Sequence, residues 1–148
     1  MQKITPFLWF DNNLEQALAF YPTVFTHSKI GNVTRQDGKV FSAEFQLNGQ
    51  EFMAINGGPM FKFTEAISFF ISCKTQEEID DLTAKLIANG GSQQPCGWLK
   101  DQFGLSWQVI PESLTEWLTK DTSGRVMQTM LKMTKLDIKA LQDAYEGK

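Results

Sequence analysis

Residues 66–91, AISFFISCKTQEEIDDLTAKLIANGG, decide the fold. The first eight form an apolar run of strand length. The apolar residues that follow recur at three- and four-residue steps, as on one face of a helix: Ile79, Leu82 and Leu86. Thr75 and Glu78 have the spacing of a capping box at the helix start, and Gly90 and Gly91 favour the left-handed conformation that ends a helix. The stretch predicts a strand followed by an amphipathic helix.

The same order occurs near the start of the chain. Residues 3–11, KITPFLWFD, form an apolar run of strand length, and residues 12–25, NNLEQALAFYPTVF, carry apolar residues at helical spacing. Asn12 or Asn13 is the expected N-cap of this helix. The two copies predict a duplicated module.

Strands are predicted after each helix. In the first half they cover three ranges: 28–35, 39–47 and 50–57. Asn48-Gly49 suits the two-residue type I′ turn of a hairpin between the last two. In the second half, residues 96–111, CGWLKDQFGLSWQVIP, form the matching hairpin, with Asp101 and Gly104 at the favoured ends of a type I turn. Each half therefore predicts strand, helix and three strands.

These elements predict a single α+β domain of two βαβββ modules, at about residues 1–62 and 63–111. We expect one bent eight-stranded mixed sheet with helices outside and a concave inner face, the cup, between the modules. The tail, about residues 112–148, is predicted to be helical. Ser113 and Glu116 have capping-box spacing at its start, and apolar stripes at helical spacing follow.

Composition limits the classes of function. The 148 residues carry a net charge of −3 and a pI of about 5.1, which lacks the basic footprint of a nucleic-acid binder. No apolar run approaches the roughly 18 residues of a membrane span, and the start lacks a secretory pattern. Cys73 and Cys96 form no CxxC pair, so we expect a reduced, cytoplasmic setting. With 12 Phe and 4 Trp against 2 Tyr, the aromatic residues suit a packed core or an apolar pocket.

The repeated unit and four stretches of the sequence resemble a known family. The repeated strand–helix–three-strand unit, with AFYPTVF on the first helix, resembles the glyoxalase/bleomycin-resistance superfamily, also called vicinal oxygen chelate proteins. Within it, the blocks resemble the PhnB-like family: ITPFLWFDNNLEQALAFY, MAINGGPMFKFTEAISF, CGWLKDQFGLSWQVIP and RVMQTMLKMTKLDIKAL. Members often bear the name 3-demethylubiquinone-9 3-methyltransferase. The resemblance implies paired modules, a small-molecule ligand in the cup and a homodimer.

The resemblance also implies where a metal would bind. Metal-dependent relatives use four side chains, commonly two His or Gln and two Glu, and the corresponding positions lie near four residues: Thr5, Ala54, Ser68 and Gln108. A transition metal prefers imidazole, thiolate or carboxylate ligands, which this set lacks. The one histidine, His27, has polar neighbours and is expected at the surface. We therefore predict no bound metal.

The methyltransferase name implies a cofactor that the residues do not support. A dinucleotide-type cofactor fold needs a Gly-rich turn between a strand and a helix. Gly57-Gly58 is predicted as a loop between modules, and Gly90-Gly91 as a helix stop. We therefore predict no cofactor.

Alternation along the last strand selects the candidate ligand site. Trp107 and Val109 share the face expected toward the helix, so Gln108 faces the cup. Gln108 is predicted as its central hydrogen-bonding group, with a bond to a neighbouring strand as the alternative. Trp98 lines the pocket or a dimer seam. The predicted ligand-binding residues are Gln108, Trp98, Phe7, Trp9, Phe70, Ser68 and Asn56.

No catalytic residue is assigned. Cys96 near Lys100 is more typical of a buried filler than of a nucleophile, and Glu65 is expected to pair with Lys62. Three functions stay open: metal-free binding or conversion of a small molecule in an aromatic cup, a metal-dependent lyase, isomerase or dioxygenase, and non-catalytic sequestration of a small molecule.

Overall fold

The computed structural model describes residues 2–148, which divide into two compact units, residues up to 63 and residues from 64 onward. We call them module one and module two. Module one contains β1 Phe7–Phe10, α1 Leu14–Val24, β2 Ser28–Gln36, β3 Lys39–Leu47 and β4 Gln50–Asn56. Module two contains β5 Phe69–Cys73, α2 Gln76–Ile87, β6 Ser92–Gln93, a 3-10 turn Pro95–Gly97, β7 Trp98–Lys100 and β8 Ser106–Pro111, followed by three tail helices.

The eight strands pair as two mixed sheets of four. The first sheet has the order β1-β4-β3-β2 and the second has the order β5-β8-β7-β6. In each, the first and last strands of the module are parallel, and the others are antiparallel. The predicted α+β class with two βαβββ modules is confirmed. The cup between the modules stays a prediction.

In module one, α1 packs on one face of the sheet. Tyr21 of α1 stacks on Phe45, which stacks on Phe52 of β4. Asn13 occupies the N-cap position but makes no side-chain capping bond. Asn56, at the end of β4, supplies it: its Oδ1 accepts a hydrogen bond from the Leu14 amide at 3.0 Å. The helix is therefore capped by a distant strand residue.

In module two, α2 covers the second sheet. Thr75 Oγ1 accepts from the Glu78 amide at 3.2 Å, which confirms Thr75 as the N-cap. The Glu78 carboxylate accepts from the Lys74 amide at 2.9 Å instead of from the Thr75 amide, as a full capping box would require. The buried residues of α2 and of the sheet face beneath it form the core: Ile79, Leu82, Leu86, Leu99, Trp107 and Val109. Trp107 therefore faces the helix, as predicted.

The hairpin between β7 and β8 is organised by a buried carboxylate. Asp101 is 2% exposed, and its Oδ1 accepts from the amides of Phe103 and Leu105 at 2.9 and 3.1 Å. Its Oδ2 accepts from Trp107 Nε1 at 2.9 Å. The Asp101 main chain also closes the turn with Gly104 at 3.0 Å, as predicted. The carboxylate thus ties the turn to the core indole.

The tail contains α3 Leu114–Lys120, α4 Arg125–Met130 and α5 Ile138–Glu146. The predicted capping box is wrong, because Ser113 makes no capping bond and Glu116 pairs with Lys120 instead. The long helical stripe breaks after Met130, and Asp137 caps α5 by accepting from the Ala140 amide. The tail and the end of β8 share a core: Ile110, Leu114, Val126, Leu136, Leu141 and Ala144. Within residues 2–148, no helix has the length and apolar character needed to cross a membrane.

Candidate functional site

Four of the predicted ligand-binding residues share one face of the second sheet. This is the open face, opposite the one that α2 covers. The strand register places Phe70, Gln108 and Trp98 in one row across β5, β8 and β7, and Ser68 lies two residues before Phe70 on the same side. Phe70 is 54% exposed, whereas Trp107 on the other face is 3% exposed. The row is thus accessible from outside the module.

Gln108 has both a protein partner and unused hydrogen-bonding capacity. Its Nε2 donates to Ser68 Oγ at 2.9 Å. Among residues 2–148, no other side chain or backbone group bonds the Gln108 amide, which leaves Oε1 and one N–H for a further partner. The two alternatives left by the sequence are therefore compatible: Gln108 bonds the start of β5 and still offers an acceptor and a donor.

A second polar row lies beside the first. Lys100 lies opposite Ser106 in the strand register, and its Nζ forms an ion pair with Glu65. The expected pairing of Glu65 with Lys62 is therefore wrong. The hydrogen bond and the charge of Lys100 hold the pKa of Glu65 below its usual range. An ionised, paired carboxylate is a weak general base. No sequence spacing indicated this pair, because only the fold brings residues 65 and 100 together.

The cysteines do not form a nucleophilic centre. Burial raises the pKa of Cys73 to about 12, so its thiol stays protonated at neutral pH. Cys96 lies in the turn before β7 with φ 62°, and its Sγ lies 3.7 Å from the Met130 carbonyl oxygen. The Lys100 ammonium group, which follows Cys96 by four residues, forms its ion pair with Glu65.

The module one candidates divide between two faces. Phe7, 55% exposed, and Trp9 lie opposite the α1 side. Trp9 is held in place by the following loop: its Nε1 donates to the Gly58 carbonyl at 2.9 Å, and a Cβ on Gly57 would lie 2.3 Å from the indole ring. Asn56 lies on the α1 side with both amide groups engaged, since its Nδ2 also donates to the Val40 carbonyl. Asn56 is therefore not part of the candidate site.

The positions expected for a metal do not fit one. Ala54 is fully buried on the α1 side of the first sheet, so it cannot contribute to a site on the opposite face. Thr5 Oγ1 donates to the Gln2 carbonyl, and Ser68 accepts from Gln108. In the part of the chain that the structure describes, no three His, Cys, Asp or Glu side chains lie together as a metal group. Two hydroxyls and an amide are poor ligands for a transition metal.

Comparison with known proteins gives a consistent assignment. The family model described as 3-demethylubiquinone-9 3-methyltransferase matches residues 2–110. A putative 3-demethylubiquinone-9 3-methyltransferase, the PhnB protein from Bacillus cereus, is 39% identical over 74% of this chain and 99% of its own, with a TM-score of 0.68. No curated protein matches the chain.

More distant structures share the fold. A Pseudomonas aeruginosa protein is 20% identical over 75% of this chain and 98% of its own, with a TM-score of 0.61. The fosfomycin resistance protein FosX of Listeria monocytogenes, solved with Mn(II) and sulfate, is 18% identical over 81% of this chain and 98% of its own, with a TM-score of 0.57. The chain belongs to the PhnB-like, 3-demethylubiquinone-9 3-methyltransferase family.

Proposed function

We propose that this protein binds a small, neutral organic molecule on the open face of module two, without a tightly bound metal ion or another cofactor. One observation carries the proposal: the Gln108 amide is anchored to Ser68 on one side and is flanked by Phe70 and Trp98 in the same row. A few placed polar groups among aromatic side chains are typical of small-molecule sites.

The chemistry of the row indicates the class of ligand. Gln108 Oε1 accepts a hydrogen bond, and its remaining N–H donates one. An amide, a lactam or a carboxylic acid in its neutral form has the complementary donor and acceptor. Phe70 and Trp98 offer apolar surface to the body of such a molecule. A neutral amide suits this arrangement better than a cation does.

Binding, rather than chemical conversion, is the function that the side chains support. Glu65, beside the open face, is ion-paired, and the Cys73 thiol is protonated and buried on the α2 side of β5. The family's methyltransferase name finds no support in the glycine pairs. Gly57 packs under Trp9, and Gly91 lies so close to the end of α2 that a Cβ there would be 2.6 Å from Ile87 Cα. Neither pair begins a helix.

We also propose a homodimer in a reducing, cytoplasmic setting, with no nucleic-acid or membrane partner. Large apolar side chains are exposed around the segment that joins the modules: Met60, Phe61 and Ile67. Contiguous exposed apolar surface is typical of protein interfaces. Both cysteines are free.

The test is a binding titration with a panel of small amides and lactams, such as butanamide, benzamide and 2-pyrrolidone. The NMR signals of the Gln108 side-chain amide, assigned by their loss in Gln108→Ala, should shift on titration. Gln108→Ala should weaken binding about three- to tenfold, since one net hydrogen bond is worth about 0.5–1.5 kcal/mol. Gln142→Ala, an exposed glutamine on α5, is the matched control and should not change the affinity. Unshifted Gln108 signals at millimolar ligand would refute the proposal.

A further inference from the structure

The tail covers the open face at Ile110, and on the other side of Gln108 the small side chain of Ser106 is also buried. Ile110 follows Gln108 by two residues on the same side of β8, and it is 5% exposed because it packs with Leu136 and other tail residues. Gln108 remains partly exposed, and Phe70 is 54% exposed. Same-side positions of a strand are only about 6.6 Å apart. The boundary of the covered area therefore lies directly beside Gln108.

The turn that leads into β7, next to β8, also contacts the tail. The pairing of β7 with β8 ends at Trp98 and Gln108, and the turn Pro95–Gly97 precedes it. The Cys96 amide donates to the Met133 carbonyl at 2.9 Å. The tail backbone thus runs alongside the row that contains the candidate ligand group.

Gly97 shows how closely the tail approaches. Its amide donates to the Thr134 carbonyl at 2.8 Å. A Cβ at this position would lie 2.9 Å from Ile110 Cδ1 and 3.0 Å from Leu136 Cδ1. Only glycine fits here, with φ +82° and no side chain. There is no space for a ligand between β7, β8 and the tail.

The tail is fixed in this place from its other side. The Gln76 side chain of α2 donates through Nε2 to the Leu136 carbonyl at 3.0 Å and accepts from the Ile138 amide at 2.8 Å. Lys135 forms an ion pair with Asp80 at 2.8 Å. Two backbone hydrogen bonds to the turn before β7, two hydrogen bonds to Gln76 and one ion pair to Asp80 fix the tail at this boundary.

We propose that Ile110 and residues 133–136 form an end wall of the module two site, which restricts how far a ligand extends from Gln108 along β7 and β8. The inference rests on the proposed function. The wall belongs largely to a segment outside the family match, which ends at residue 110, so it gives this chain a ligand selectivity of its own. On β5, the residue that pairs with Ile110 is Ser72, and it is exposed. The wall therefore does not extend over β5.

The test uses straight-chain primary amides from acetamide to octanamide, titrated into the full-length protein and followed on the Gln108 side-chain signals. In the wild type, affinity should rise by up to about fourfold for each buried methylene, then stop rising after a few carbons. Ile110→Ala opens the wall and should raise the affinity for octanamide relative to butanamide about tenfold. The ratio does not depend on small changes in overall stability.

Leu141→Ala is the matched control, because Leu141 is fully buried in the same cluster but lies on α5. It should leave the octanamide-to-butanamide ratio within twofold of wild type. Ile110→Val should give a smaller shift in the same direction and serves if Ile110→Ala does not fold. If the amides bind but the ratio is unchanged by both Ile110 variants, or changes equally in Leu141→Ala, the wall is refuted and the proposed function stands. If no amide shifts the Gln108 signals, the proposed function fails and the wall fails with it.

Discussion

Replacing Trp107 by phenylalanine should destabilise module two through the loss of one hydrogen bond. Phe retains most of the buried ring surface but cannot donate to Asp101 Oδ2, which accepts from the indole at 2.9 Å in a site where both residues are at most 3% exposed. A hydrogen bond to a charged group contributes about 1.5–3 kcal/mol, and the smaller ring adds a cavity cost. We expect a loss of about 2–4 kcal/mol in the free energy of unfolding.

Urea unfolding measures this: the slope for small proteins is about 1–3 kcal/mol per molar, so a loss of about 2–4 kcal/mol should lower the midpoint by about 0.7 M or more. Trp98→Phe is the control: Trp98 is partly exposed on the open face, and we expect a loss below about 1 kcal/mol. Asp101→Asn should show a coupling energy of about 1–3 kcal/mol with Trp107→Phe, as contacting residues do. Equal midpoints for Trp107→Phe and Trp98→Phe would refute the reasoning.

Three further predictions concern the metal, the assembly and the tail. Elemental analysis of purified protein should find far less than one transition metal per chain; close to one zinc, nickel, iron or manganese would contradict the proposal. Light scattering at micromolar concentration should give twice the 16.8 kDa chain mass, and a monomer mass would exclude the dimer. Hydrogen bonds from the Ser123 hydroxyl and from the Val126 amide lower the pKa of Asp121 to about 2, against about 3.9 when unfolded. This stabilisation is complete above about pH 4–5 and is lost as the pH falls toward 2, so the urea midpoints of wild type and Asp121→Asn should differ at pH 6 and converge near pH 2; a constant difference would contradict this.

Local patterns predicted the elements well. The apolar runs, the Asn48-Gly49 turn and the Thr75 cap each depend on residues close together in the chain, and the structure has each of them. Alternation along β8 also placed Trp107 and Gln108 on opposite faces. These features depend on local backbone geometry, which is determined by residues within a few positions of one another.

Most of the errors share a cause, since they depend on a partner far away in the chain; the Ser113 cap is the exception, because Glu116 pairs with Lys120 in the next helical turn. Glu65 pairs with Lys100 rather than with Lys62, and Asn56 caps α1 rather than facing a ligand. The tail stripe breaks because residues 133–136 bond the turn before β7 instead of continuing a helix. Competition between helical and tertiary hydrogen bonds is not visible in periodicity.

The capping of α1 by Asn56 has a consequence for synthesis of the chain on the ribosome. The bond spans 42 residues, and β1 finds its neighbouring strand only in β4. A nascent chain that has emerged only as far as β3 lacks both the helix cap and the partner of its first strand. Module one should therefore stay sensitive to proteases until residue 56 has left the exit tunnel, and then become resistant in one step.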